Sequence, residues 1–370
     1  MTGYGAVSAV RLTTDDILHL KTGSIFNSCT ADPDWCAEET QRVLAHMEAY
    51  DTGPELCDVG DLDDDALVVS VGFVNNGIPM SDLRPVGDEF VAALRVLEES
   101  LGRPVQGIFP LAAGSANALI PLLVGMQTDL PIVDADPMGR IFPLVNQTVF
   151  TLAGLPVGPV AAAGATGESA VVNVSDPLRA ERILRALAGE YGGWAATATY
   201  PMAASTLART GVLGSITRLI RMGQILDSPL ETEQKHDALR RAVGVKQILR
   251  ARVGDGAWLA RPATPGEIER PASVVLVEES QGRLVQLEVK NEMLMMMVDG
   301  AVRAVVPDII TMMRPLDGGV ATLDDLWTGN VVDIVVMPAA TPWYTPEGLR
   351  LGGPTALNLF GAGGAGRRTT

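Results

Sequence analysis

Short apolar runs alternate with amphipathic segments over the first third of the chain. The runs ALVVSV (66–71), VQGIFPL (105–111) and LPIV (130–133) have the length and branched aliphatic content of buried strands. Between them, 88–100 carries Phe90, Leu94 and Leu97 at helical spacing, and 115–126 is apolar and long enough for a helix. Two earlier helices are predicted at 13–20 and 37–49. Thr13 or Thr14 can cap the first, with Asp15 and Asp16 at the positive end of its dipole. The second places Val43, Leu44 and Met47 on one face. Strand–helix–strand alternation of this kind builds a mostly parallel sheet with right-handed crossovers. The polar turns then gather at one edge of it.

The pattern changes further along. Residues 154–167 are rich in Gly, Ala and Pro and suit a loop or edge strand leaving the first domain. Residues 177–189 are helical, with Arg179, Arg182 and Arg185 on one side. The long apolar stretch 203–226 contains Gly211 and Gly214, so two helices or one kinked helix are predicted. A charged helix follows at 228–245. Segments 273–278, 283–289, 301–306 and 331–337 alternate or run apolar between turns at Gln281-Gly282 and Asp299-Gly300, and Asp-Gly favours tight hairpins. The expected fold is α/β. A mostly parallel sheet domain occupies 1–165, and a second, β-rich α+β domain 166–370, whose C-terminal segment can return to the first.

At 370 residues the chain is long enough for two domains. With 47% hydrophobic and 19% charged residues it can bury a large core, filled by small aliphatics and 14 methionines more than by aromatics. The net charge of −16 argues against a nucleic-acid partner, which needs clustered Lys and Arg. Three cysteines, Cys29, Cys36 and Cys57, do not make a disulfide scaffold and suit a reducing compartment. Neither a signal peptide nor a run of roughly 18 apolar residues is present, so no membrane association is expected and the cytoplasm is the expected location. P-loop and HExxH patterns are absent and no GxGxxG follows a predicted strand, so no nucleotide cofactor is expected. The apolar helices of 203–226 suit a homodimer interface or simple core burial.

Candidate chemistry concentrates in PIVDADPMGRIFP (131–143), where an apolar strand ends on Asp134 and Asp136, followed by Gly139 and Arg140. Carboxyl ends of strands are where open α/β sheets build sites. The two carboxylates could hold a divalent metal, share a proton, cap local amides, or in the case of Asp136 pair with Arg140. Gly114, Ser115 and Asn117 open the helix after the second strand, where backbone N–H groups can receive an anion or oxyanion. Ser115 is equally suited to be a helix cap. Asn291 and Glu292 follow a strand, and Glu292 could transfer protons or lie solvated in a turn.

These stretches also carry a family resemblance. VDADPMGRIFP resembles a signature of the S-methyl thiohydantoin desulfurase family, also called DUF917. FPLAAGSANALIPL, VKNEMLMMMVDGAVRAVVPDII, TLDDLWTGNVVDIVVMPA and WYTPEGLRLGGPTALNLFG agree with it in the same order. The chain departs from the family where KTGSIFNSCTADPDW replaces a glycine-rich segment, and where Ala112 and Leu144 replace glutamates and Ser115 a glycine. The resemblance implies hydrolysis of a small cyclic amide or amidine, a hydantoin- or thiohydantoin-like ring, with a divalent metal such as zinc in better-known relatives. On that expectation, the residues suggest Asp134 and Asp136 as metal ligands or base, Glu292 in proton transfer, and Arg140, Asn117, Gly114, Ser115 and Asn291 on the small-molecule substrate. A ring-forming or C–N bond-forming enzyme, or a non-catalytic small-molecule-binding protein, could use the same scaffold.

Overall fold

The computed structural model describes residues 8–75, 84–259, 272–290, 292–357 and 359. Contacts divide the chain into two compact units. One comprises Met1–Ser24 and Ala31–Gln224, the other Ile25–Thr30 and Ile225–Thr370.

The chain runs through β1 (Ala9–Arg11), α1 (Thr14–Phe26), α2 (Pro33–Tyr50), β2 (Glu55–Cys57), β3 (Leu67–Asn75), α3 (Asp88–Leu101), β4 (Gly107–Pro110), α4 (Ile120–Thr128), β5 (Ile132–Val133) and β6 (Ala135–Asp136). It continues with α5 (Val149–Leu152), β7 (Val160–Ala163), β8 (Ser169–Val172), α6 (Pro177–Glu190), β9 (Trp194–Ala203), α7 (Ala204–Thr210), β10 (Val212–Leu213) and α8 (Ser215–Leu226). Strands β2, β5, β4 and β3 are neighbours and run parallel, as the alternating pattern requires. Antiparallel strands extend both ends of this core, β1 beside β2 and β9-β7-β8 beside β3.

Helix α3 buries Phe90, Leu94 and Leu97, the apolar face of its sequence pattern. Each such side chain contributes ~2 kcal/mol on leaving water. Helix α2 starts four residues earlier than its apolar face suggests. Pro33 occupies its first turn, and the Asp32 carboxylate accepts the Asp34 and Trp35 N–H groups. The place of the family's glycine-rich segment is therefore largely helical.

The first unit does not end at residue 165. Strands β7 and β8 form a hairpin across that position, and β9 returns to pair with β3. Strand β9 was not expected, because WAATATYPMA lacks a branched apolar run. Its alanines give a flat surface for the helices packed on it, and Ala195, Ala196 and Ala198 are fully buried. Helices α1 and α8 make close backbone contact. A Cβ on Gly23 would lie 1.9 Å from the Leu219 carbonyl oxygen, and one on Gly223 1.9 Å from that of His19.

The second unit has α9 (Thr232–Val243), then β11 (Gln247–Leu259), β12 (Ala272–Glu278), β13 (Leu284–Val289), β14 (Met293–Val298), β15 (Ala301–Val305), β16 (Ile309–Met313), β17 (Val320–Ala321), β18 (Val331–Met337) and α10 (Pro346–Gly352). The eight strands form one antiparallel sheet in the order β15-β14-β13-β12-β11-β18-β16-β17. This is the β-rich module that the hairpin signals predicted. Asp299-Gly300 forms the turn from β14 to β15, with both residues at positive φ. No helix among the described residues is long and apolar enough to cross a membrane.

Candidate functional site

The acidic strand end lies wholly within the first unit. After β5 the chain kinks at Asp134 and leaves the large sheet, and β6 pairs instead with β10 (Val212 with Asp136, Leu213 with Ala135). This brings the start of α8 against the two carboxylates.

Asp134 is 5% exposed. Its Oδ1 accepts the N–H of Ile216 at 2.7 Å and of Thr217 at 3.3 Å, and the Thr217 hydroxyl donates to Oδ2. Asp134 therefore caps α8 from a distant part of the chain, satisfying amides that the helix leaves open. Burial raises its pKa, and the Thr217 hydroxyl and the two amides oppose the rise.

Asp136 has no exposed surface. Its Oδ2 accepts the N–H groups of Ala113 (3.0 Å), Met138 (2.9 Å) and Gly139 (2.8 Å), and Oδ1 accepts Gly139 at 2.9 Å. Gly139 sits at φ 68°, a left-handed conformation that lets its N–H turn back on the carboxylate. The Ser215 hydroxyl lies near the carboxylate without completing a hydrogen bond. Burial pushes the Asp136 pKa up to about 7 against all of these donors. The carboxylate ties two segments together, the β4–α4 turn and its own loop, beside the first turn of α8.

The other expected residues fall in several places. Arg140 is 2% exposed; its Nε donates to the Ile141 carbonyl at 3.0 Å, and its guanidinium stacks on Phe142 at 4.5 Å. It is buried in its own loop, where the sequence reading placed it on a substrate. The Gly114 N–H donates to the Ala112 carbonyl (3.0 Å) and the Ser115 N–H to that of Ser24 (3.1 Å), so neither amide is open to an oxyanion. Ser115 holds φ 51° and ψ −158°, a conformation glycine takes readily and other residues rarely. Its hydroxyl meets the thiol of Cys36, whose pKa burial pushes up to about 12. Asn117 accepts the Phe73 N–H on Oδ1 at 3.0 Å. Its NH2 group has no protein partner among the described residues, and the residue is partly exposed. Glu292 is buried just before β14 in the second unit, and Asn291 lies outside the described residues.

The donor set does not fit a divalent metal. The oxygens of Asp134 and Asp136 are occupied by amides and a hydroxyl. No group of three or more His, Cys, Asp or Glu stands together for one ion among the described residues.

One residue escaped the sequence reading. Arg218, in the first turn of α8, is partly exposed, and burial lowers its pKa while the charge of Asp136 raises it. Its guanidinium makes no hydrogen bond or ion pair among the described residues. Within RLIRMG it looks like one polar position of an amphipathic helix, and no local signal separates it from Arg221.

Comparison with known proteins gives a consistent family. No curated protein matches the chain. A crystal structure of a protein from Chromobacterium violaceum superposes with a TM-score of 0.74 at 22% identity, over 95% of this chain and 98% of that one, and shows the shared fold. The S-Me-THD-like N-terminal domain matches residues 15–174 and the S-Me-THD-like C-terminal domain residues 175–361. Matched in sequence over both domains, the chain belongs to the S-Me-THD-like family, the S-methyl thiohydantoin desulfurase family that its motifs resemble.

Proposed function

We propose that this protein is an enzyme that hydrolyses a hydantoin- or thiohydantoin-like ring at a ring carbon. Family membership supports the ring class. The observation that carries the hydrolytic reading is the donor that Asn117 leaves unused. The Phe73 N–H fixes its carbonyl, so the NH2 group is held in one orientation at a partly exposed position two residues after the strained Ser115. Amide and amidine carbons of such rings are poor electrophiles. A fixed donor aimed at the carbonyl or thiocarbonyl atom stabilises the charge that builds there when water adds. The tetrahedral centre then expels a ring nitrogen or an exocyclic sulfur, which leaves as the amine or thiol by taking up the proton that the attacking water gives up. Asp134 and Asp136 act as positioning residues in this reading, holding the β4–α4 turn and α8 in place. No step runs through a metal.

The test is a panel of hydantoin, 2-thiohydantoin and S-methyl thiohydantoin, followed by loss of ring absorbance and release of thiol. At least one ring should be consumed, and Asn117→Ala should lower kcat about 10²-fold with the fold retained. Binding without consumption of any ring would favour the non-catalytic reading. An Asn117→Ala variant at the wild-type rate would remove Asn117 from the mechanism.

A further inference from the structure

An arginine that is withdrawn from water and unpaired is a costly arrangement. Folded proteins ordinarily give a guanidinium carboxylate or carbonyl partners, because its five N–H donors lose their water on burial. In the second unit, Arg250 follows this rule, with Asp333 on its Nε at 2.6 Å and on its Nη2 at 2.8 Å. In the first unit, Arg185 follows it too, donating to Glu181 and to the carbonyls of Asn75 and Pro143. Arg218 does not follow it. It has no hydrogen bond or ion pair among the described residues, yet its surroundings desolvate it enough to lower its pKa.

The neighbouring groups explain why none of the described residues satisfies it. The Asp134 carboxylate is taken by the Ile216 and Thr217 amides and the Thr217 hydroxyl. Asp136 is turned towards Ala113, Met138 and Gly139. Ser215, 3% exposed, lies against Asp136 with its hydroxyl short of a hydrogen bond. The helix N-terminus is also occupied, since Asp134 accepts two of its amides and the Arg218 N–H donates to the Gly214 carbonyl at 2.9 Å. Arg218 is therefore an uncommitted cation beside the acidic strand end, and its partial exposure leaves it open to a ligand.

We propose that Arg218 is the binding residue for a planar anionic edge of the substrate. Either a carboxylate carried by the ring or the delocalised N–C–O or N–C–S edge of an ionised ring would suit it. Both present two acceptor atoms in one plane, which matches the guanidinium fork. The charge of Asp136 favours the charged form of Arg218, and no hydrogen bond joins the two among the described residues. This inference rests on the ring-hydrolysis reading for the substrate class only. The anion site itself stands on the unpaired guanidinium.

Direct binding tests it without requiring turnover. Hydantoin-5-acetate and its methyl ester, and 2-thiohydantoin and its N3-methyl derivative, are titrated into wild type, Arg218→Gln and Arg218→Lys by calorimetry. Circular dichroism serves as the control for fold. The carboxylated ring should bind wild type at least tenfold tighter than its ester if the recognised edge is a carboxylate. The ionisable ring should bind tighter than its N-methyl form if the edge is the ring anion. Arg218→Gln should abolish the preference, and Arg218→Lys should keep part of it, since the charge remains but the fork is lost. Equal affinity for charged and neutral ligands in wild type, or an undiminished preference in Arg218→Gln, overturns the proposal. Charge-selective binding with no ring consumed keeps the anion site and sinks the hydrolytic reading. Ring turnover that ignores Arg218→Gln does the reverse.

Discussion

Replacing Asp136 by Asn removes a titration that the fold itself creates. The carboxyl group moves from its ordinary pKa of 3.8 to about 7 because burial outweighs its hydrogen bonds. That gap of roughly three pKa units is worth about 4 kcal/mol. The sign follows from the direction. The folded state holds the proton more tightly than the unfolded chain, so the stabilisation is fully present below pH 3.8 and is lost as pH rises through about 7. Between pH 5 and pH 8 this one group should take away about 2.5 kcal/mol. Asn cannot ionise. Its carbonyl can keep the Ala113 and Met138 amides, while its NH2 faces one donor, the Gly139 N–H. The variant should therefore be less stable than wild type at pH 5 and within about 1 kcal/mol of it at pH 8. The assay is urea unfolding of both proteins at pH 5, 6, 7 and 8, read as the difference between them. Asp134 and Glu39, also raised by burial, contribute alike to both and cancel. A wild-type-minus-variant difference that stays flat from pH 5 to 8 would refute the burial argument. One that grows with pH would show that Asp136 is ionised and paired in the fold.

Asp134→Ala should cost about 2 kcal/mol in urea unfolding, because it leaves the Ile216 and Thr217 amides without their buried acceptor; an unchanged midpoint would deny its capping role. Gly223→Ala should cost about 3 kcal/mol or prevent folding, since the new methyl would sit 1.9 Å from the His19 carbonyl oxygen, more than offsetting the ~1 kcal/mol that alanine gains in a helix. Gly60→Ala, where nothing lies within 4 Å of the new carbon, should stay within about 0.5 kcal/mol of wild type and serves as its control.

Much of the architecture was legible because burial leaves a period in the sequence. Helix α3 shows its face as Phe90, Leu94 and Leu97, and the Asp-Gly turn before β15 announces its hairpin. Strand β9 was not legible, since alanine and threonine on a strand covered by helices produce no apolar run. Strand β14 was missed because MLMMMV consists mainly of unbranched side chains that suit helix and strand alike. The site divides in the same way. Asp134 and Asp136 were legible as residues that matter, because carboxylates at a strand end have few ordinary explanations. Their roles were not, because their partners arrive from far along the chain: Ile216 is 82 residues from Asp134, and Ala113 23 residues from Asp136.

That separation bears on how an acidic signature should be interpreted. A carboxylate beside a glycine turn invites a chemical role, but both carboxylates here spend their oxygens on backbone amides. Asp136 accepts amides from two segments and Asp134 from a third. What they accomplish is assembly. The β4–α4 turn, the 137–140 loop and the start of α8 have no covalent reason to meet, and these two residues hold them together. In the proposed reading, chemistry then falls to side chains that the assembly leaves uncommitted, the Asn117 NH2 group and the Arg218 guanidinium. Neither belongs to the acidic motif, and Arg218 lies 82 residues beyond Asp136. Substitutions of the acids should therefore damage stability and activity together through geometry, whereas substitutions of Asn117 and Arg218 should damage activity or binding while the protein remains folded. A folded, stable Asp136→Asn protein that keeps charge-selective binding but consumes no ring would break this division of labour and return Asp136 to the chemistry.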